Sequence, residues 1–156
     1  MKKVKEKREQ MLKLKEAMQI ITLAVLQSKG IKIARLAGNR NLDPKIVKAK
    51  KKSLKETGLL VPAIIVEASL ALEESLEVVD FETGEAVTEE TADDYVVLVD
   101  ANHRYQAHLD LVKLDDEYNK DFSVMFPLQD IDVSKMLSEI NVATNPWKTA
   151  DYGKGA

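Results

Sequence analysis

The run Tyr95-Val96-Val97-Leu98-Val99 constrains the fold more than any other stretch of the chain. Five consecutive apolar residues, most of them β-branched, predict a strand buried inside a sheet. The polar turn Asp100-Ala101-Asn102-His103-Arg104 follows, and Tyr105, Leu109 and Val112 then mark one face of a helix from about His103 to Lys113. A buried strand that turns within two or three residues into a helix is a common unit of α/β proteins. Such a junction leaves the first N–H groups of the helix without intrahelical partners at the positive end of its dipole, which suits an anion. Arg104 adds a guanidinium fork that can grip phosphate oxygens in pairs, while Asn102 and His103 place donors or an acid/base beside it. The same residues also admit a purely structural role, with Asp100 and Asn102 capping the helix, His103 half-buried and Arg104 solvated.

Upstream, Asp43 as N-cap, Pro44 at the first helical position and Gly58 just past the end delimit a second helix. Lysines at 45, 48, 50, 51, 52 and 55 cover most of its circumference and leave Ile46, Val47 and Leu54 as the inward stripe. Leu59 to Val66 reads as a strand entered through Pro62. An N-terminal helix is expected from about Glu6 to Ser28, with Val4, Met11, Leu14, Met18, Ile21 and Val25 at heptad-like spacings and Gly30 as its stop. Its apolar face needs a partner, either the domain's own core or a second copy of the chain, and the run is short for a coiled coil. Further on, Glu77 to Val87 is expected as a hairpin about Thr83-Gly84, Glu89 to Asp94 as an acidic surface loop, Phe122 to Phe126 as a strand and Val133 to Val142 as a helix. The whole predicts an α/β (α+β) fold, a small mixed sheet packed with helices, with an extra N-terminal helix. Its parts are a basic amphipathic helix over 1–30, a domain over 31–145, and at 146–156 a linker or the start of another helix. Asn145-Pro146 announces that helix, and the chain is therefore expected to be a piece of a longer one.

Composition narrows the chemistry. There is no cysteine, which removes disulfides, thiolate zinc sites and a thiol nucleophile. His103 and His108 lie five residues apart, off the i, i+4 spacing that sets two histidines on one helix face. No apolar run approaches the ~20 residues of a membrane-spanning helix, and the basic start leads into Glu6 and Glu9 rather than a signal-peptide core, so a cytoplasmic protein is expected. The net charge of −3 conceals an asymmetry, since residues 1–60 carry 17 Lys and Arg against 5 Asp and Glu, and residues 61–156 carry 6 against 21. That split points to a polyanion facing the basic end or to electrostatic pairing between chains, and equally to a solvated lysine face.

The order of these features resembles the ParB N-terminal (ParB-like nuclease) domain of the ParB/sulfiredoxin superfamily over about Asn39 to Asn145. Ser53-Leu54-Lys55-Glu56-Thr57-Gly58-Leu59-Leu60-Val61-Pro62-Ala63-Ile64-Ile65-Val66 is similar to that family's Ser-Ile-x-x-x-Gly-x-x-x-Pro-x-x-Val stretch, and Asp100 to Ala107 to its arginine-ended box with the following aromatic and Ala. The resemblance implies a domain that binds a nucleoside triphosphate (CTP or ATP) with Mg2+. It places Arg104 on the phosphates, with Ala101, Asn102, His103 and Tyr105 around them and Ser53, Gly58 and Pro62 lining the nucleotide. Asn141 resembles the asparagine of the family's Glu-Asn-x-x-Arg motif and is the expected magnesium contact. A homodimer, and DNA bound through the basic N-terminal third or a further C-terminal domain, are the implied partners.

Departures from the pattern matter as much. Ala101 stands in place of a glycine, which disfavours any positive φ the turn requires. Ile140 and Asn145 stand near the third motif's glutamate and arginine, so binding is expected ahead of hydrolysis. Asn102 occupies the position of sulfiredoxin's catalytic cysteine, which excludes sulfinic-acid repair. For catalysis the candidates are Asp100, His103 and Glu139, in a DNA nuclease or a small-molecule phosphotransferase; a third expectation is an inactive interaction scaffold. Tyr105 and Trp147 are aromatic candidates for stacking on a base, although a Tyr one turn into a helix more often belongs to the core.

Overall fold

Tyr95–Leu98 forms the expected strand, and every residue in it is buried. The computed structural model describes residues 2–17, 20–39, 42–129 and 131–144. In chain order these form α1 (Lys2–Ala17), β1 (Ile20–Thr22), α2 (Leu23–Ser28), β2 (Lys32–Leu36), α3 (Pro44–Thr57), β3 (Ala63–Glu67), α4 (Ala68–Glu73), β4 (Val78–Asp80), β5 (Tyr95–Leu98), α5 (Asn102–Leu114), β6 (Ser123–Met125) and α6 (Val133–Thr144). The strands make one mixed sheet in the order β1-β6-β3-β5-β2-β4. Strand β5 is central, antiparallel to β3 with Leu98 opposite Ile65, and parallel to β2 with Tyr95 opposite Lys32.

Alternation along β5 sends side chains into two different cores. Val96 and Leu98, with Ile33, Ile65 and Val124 of the neighbouring strands, pack against Leu26 of α2, Tyr105 of α5 and Phe122. Val97 and Val99, with Ala34 and Val66, pack on the opposite face against Ala68 and Ala71 of α4 and Val133 and Met136 of α6. A strand with both faces covered must be apolar throughout, which accounts for the unbroken run in the sequence.

Helix α3 is a second layer over α5. Its Val47 and Leu54 pack on Ala107 and Leu111. Three polar contacts follow the two helices in step: Asp43 N–H donates to His103 Nε2 at 3.0 Å, Lys51 pairs with Asp110 at 3.2 Å, and Lys55 with Asp115 at 2.8 Å. The two helices therefore run parallel, with their N-termini at the same end. Expected punctuation is present in α3, where the Asp43 side chain accepts from Lys45 N–H and Gly58, at φ +78°, donates its N–H to the Leu54 carbonyl. Lys120 completes that end by donating to the carbonyls of Leu54 and Lys55.

Three expectations need correction. A single helix from Glu6 to Ser28 does not form: α1 ends at Ala17 and Ile20–Thr22 joins the sheet as edge strand β1, antiparallel to β6. The β-branched trio Ile20-Ile21-Thr22 favours extended backbone, Ile21 is fully buried, and Thr22 then N-caps α2 by accepting from Val25 N–H. Residues 20–28 thus belong to the sheet and its core rather than to an appended helix. Strand β3 begins at Ala63, so Leu59 to Pro62 are loop, with Leu60 and Val61 exposed. The acidic loop ends in a 3-10 turn, Ala92–Asp94, in which Asp93 is buried and accepts from Arg8 Nε of α1 at 3.0 Å. The expected hairpin is present, since β4 is followed by a turn that returns Ala86 opposite Val79. Residues 145–156, including Trp147, lie outside the described residues. Among the described residues no helix is long and apolar enough to cross a membrane.

Candidate functional site

The turn after β5 sits where three segments meet: the start of α5, the start of α3 and the loop before β3. Ala101 takes the N-cap position of α5 at φ +64°, ψ +27°, a left-handed conformation that an L-residue rarely adopts. The turn does require the positive φ that a glycine would accept freely. Because the cap is alanine, no side chain caps α5, and the first intrahelical bond at this end is Tyr105 N–H to the Ala101 carbonyl. The amides of Asn102, His103 and Arg104 precede that bond, and their dipole adds to that of α3 at the same end of the layer.

Three side chains of the box are already engaged. Asp100 Oδ1 accepts from Ile64 N–H at 2.7 Å, which continues the β3–β5 ladder beyond Val99 N–H to the Ile64 carbonyl at 2.8 Å. Arg104 donates to the Val61 carbonyl at 2.9 Å and lies 3.9 Å from Asp100 Oδ2. His103 accepts from Asp43, as above. Asn102 Oδ1 is buried and has no hydrogen-bond partner. In the loop that Arg104 bonds, Leu60 and Val61 are exposed. Arg104 keeps 23% of its side chain exposed, and its one neutral hydrogen bond is weaker than the charge-assisted pair a phosphate offers. It can exchange one for the other.

The other expected residues divide into those near the turn and those elsewhere. Pro62 precedes β3 beside Val61, and Gly58 closes α3 at its far end, where its positive φ serves the helix C-terminus. Ser53 is exposed on α3, and its carbonyl accepts from Thr57 Oγ1. Tyr105 is a core residue: its ring lies 4.7 Å from Phe81 and 5.3 Å from Phe122, both edge-on, and burial raises the pKa of its hydroxyl, with the charges of Glu82 and Asp80 adding to the effect. It has no ring face to offer a base. Glu139 is exposed on α6, on the sheet face opposite α5, and no hydrogen bond or ion pair among the described residues joins it to Asp100. The backbone of Asn141 is in α6, while its side chain lies outside the described residues.

Two charged residues outside the box carry no local signal in the sequence. Lys120 reaches the end of α3 across more than sixty positions, and nothing local signals it. Arg35, on β2, has a buried Nη1 without a partner, and its strand, with Ile33 and Ala34 adjacent and both buried, lacks the alternation that would mark it. Among the described residues no three His, Asp or Glu side chains converge as a metal-ligand set. Compared with protein-family models, curated proteins and solved structures, the chain matches none.

Proposed function

We propose that the β5–α5 turn binds the phosphates of a nucleoside triphosphate and that the chain is a ParB-like nucleotide-binding module rather than a hydrolase. The single observation that carries this reading is the convergence of two parallel helix N-termini, one of them without a side-chain cap, on a turn edged by Arg104. Free amides, two aligned dipoles and a guanidinium held by one neutral hydrogen bond and a 3.9 Å ion pair with Asp100 form a coherent receptor for a polyanion. Magnesium arrives with the triphosphate in this reading; Asn141, its contact by resemblance, belongs to α6 with Glu139 on the sheet face opposite α5, and no role at the turn is given to it. Binding is favoured over catalysis because Asp100 is occupied by the Ile64 amide and Glu139 projects from the opposite face.

A scaffold without a ligand is the second reading. It draws on the same contacts, since Asp100, His103 and Arg104 each already bond backbone of the chain itself. Thermal melting with CTP, ATP, GTP and UTP, each with and without magnesium, separates the two. At a hundredfold excess over Kd, a ligand adds about 2.7 kcal/mol, or about 5–10 °C for a chain of this size. The proposal expects such a shift with at least one triphosphate and its loss in Arg104→Ala; no shift with any of them supports the scaffold.

A further inference from the structure

Tyr95, the first residue of β5, lines a cavity of about 200 Å³ at the opposite end of that strand from the turn, closed on one side by α1. Met11 of α1, Ala92 and Tyr95, all buried, give it apolar walls. The Tyr95 hydroxyl donates to Asp80, outside the cavity, at 2.7 Å. Three polar side chains line the same space with hydrogen-bonding capacity unused. Arg8 approaches the buried Asp93 through Nε alone, at 3.0 and 3.3 Å from the two carboxylate oxygens. A guanidinium kept only to neutralise that carboxylate would present its fork. Here the Nη1–Nη2 edge makes no hydrogen bond or ion pair among the described residues, on a side chain that is 56% exposed. Asp93 thus orients Arg8 and leaves that edge to a second anion. The Glu67 carboxylate lies 3.6 Å from Lys15 Nζ, too far for a hydrogen bond, and accepts none among the described residues. Ser69, half-buried beside it in sequence, has an unbonded hydroxyl by the same count. Apolar walls with a few convergent polar groups are the make-up of a small-molecule site.

We propose that this cavity binds a free α-amino acid with an apolar side chain. Its carboxylate sits on the Nη1–Nη2 edge of Arg8, its ammonium on Glu67 and Ser69, and its side chain against Met11, Ala92 and Tyr95. The polar set calls for a zwitterion, because a carboxylic acid without an amine leaves Glu67 unanswered and an amine alone leaves Arg8 so. Size excludes larger ligands. A cavity of about 200 Å³ has room for roughly six or seven waters at ~30 Å³ each, and falls below the ~300–1,000 Å³ of clefts that take drug-sized molecules. Arg8 belongs to α1, whereas Glu67 ends β3 and Ser69 begins α4, so the ligand bridges these elements and holds α1 on the domain. The site lies away from the β5–α5 turn and does not rest on nucleotide binding there.

Methyl resonances of the full chain, labelled at methionine and alanine and titrated with L-valine, L-leucine and L-methionine, test the proposal. At least one of the three is expected to move the Met11 and Ala92 signals saturably. The N-acetyl and amide derivatives of that amino acid, each lacking one of its two charges, are expected to bind about tenfold more weakly. Arg8→Lys keeps a charge for Asp93 but loses the fork, and Glu67→Gln keeps the shape but loses the charge; each is expected to raise Kd about tenfold. Arg104→Ala is expected to bind the amino acid as the parent does, which separates this site from the nucleotide site. Should Arg8→Lys shift the Met11 signal before any ligand is added, Glu67→Gln and the two derivatives decide the matter. Unmoved signals with all three amino acids, equal binding of the derivatives, or an unchanged Kd in Glu67→Gln each overturns the proposal.

Discussion

Replacing Asp100 by alanine removes the acceptor that closes the end of the central ladder. Ile64 N–H, bonded at 2.7 Å to the carboxylate, is left without a partner beside the last β3–β5 bond. Stranding a buried donor costs about 1–3 kcal/mol. Asp100 has 26% of its side chain exposed, so water can partly replace the carboxylate and the expected loss is in the lower half of that range, about 1.5 kcal/mol. Asparagine keeps an oxygen at the same position, with an expected loss of about 0.5 kcal/mol from the weaker, uncharged acceptor. Urea unfolding followed by circular dichroism measures both, with the m-value expected to stay constant. In melting temperature the alanine variant should fall by about 3–6 °C. Equal losses in the two variants, or a neutral alanine, would refute the assignment of Asp100 as the ladder's closing acceptor.

Ala101→Gly relieves a left-handed alanine, worth about 1–2 kcal/mol, against about 0.4–1 kcal/mol of added chain entropy; a net gain of about 0.5 kcal/mol is expected, and a clear loss in urea unfolding contradicts it. Gly58→Ala should cost about 1–3 kcal/mol for backbone reasons, since φ is +78° there while an added Cβ meets Lys120 Cδ at an ordinary 3.6 Å. His108 is buried beside Tyr118, whose hydroxyl lies 2.8 Å from Nδ1, and burial lowers its pKa, with Asp121 opposing. Its unfolded form therefore takes up the proton first as pH falls. The stability it contributes is full above about pH 6.5 and is lost as pH drops through the folded pKa, so His108→Gln should flatten that part of the stability–pH curve, and an unchanged slope disproves the role.

What the sequence disclosed follows from which forces act locally. Strand β5, helix α5 and the caps of α3 are legible because burial, periodicity and helix termini leave signatures within a few residues. Edge strand β1 is not, since three residues inside a lysine-, leucine- and methionine-rich stretch look helical until β6, a hundred positions away, offers its ladder. Strand β2 and the short helix α4, without caps or strong periodicity, went unread for the same reason. At the candidate site the turn and Arg104 were visible in the sequence. The partners that hold them, the carbonyl of Val61 and the amides of Ile64 and Asp43, are backbone groups brought in by tertiary packing, and no side-chain pattern announces a backbone group.

The measurement that bears most directly on the central claim is a titration of isotope-labelled protein with magnesium and CTP or ATP, following backbone amide resonances. Phosphate gripped by the start of α5 should move the amides of Asn102, His103 and Arg104, and inorganic tripolyphosphate should move the same three, while the unphosphorylated nucleoside leaves them in place. Unmoved resonances at these three positions under saturating triphosphate, whether or not others shift, contradict the assignment.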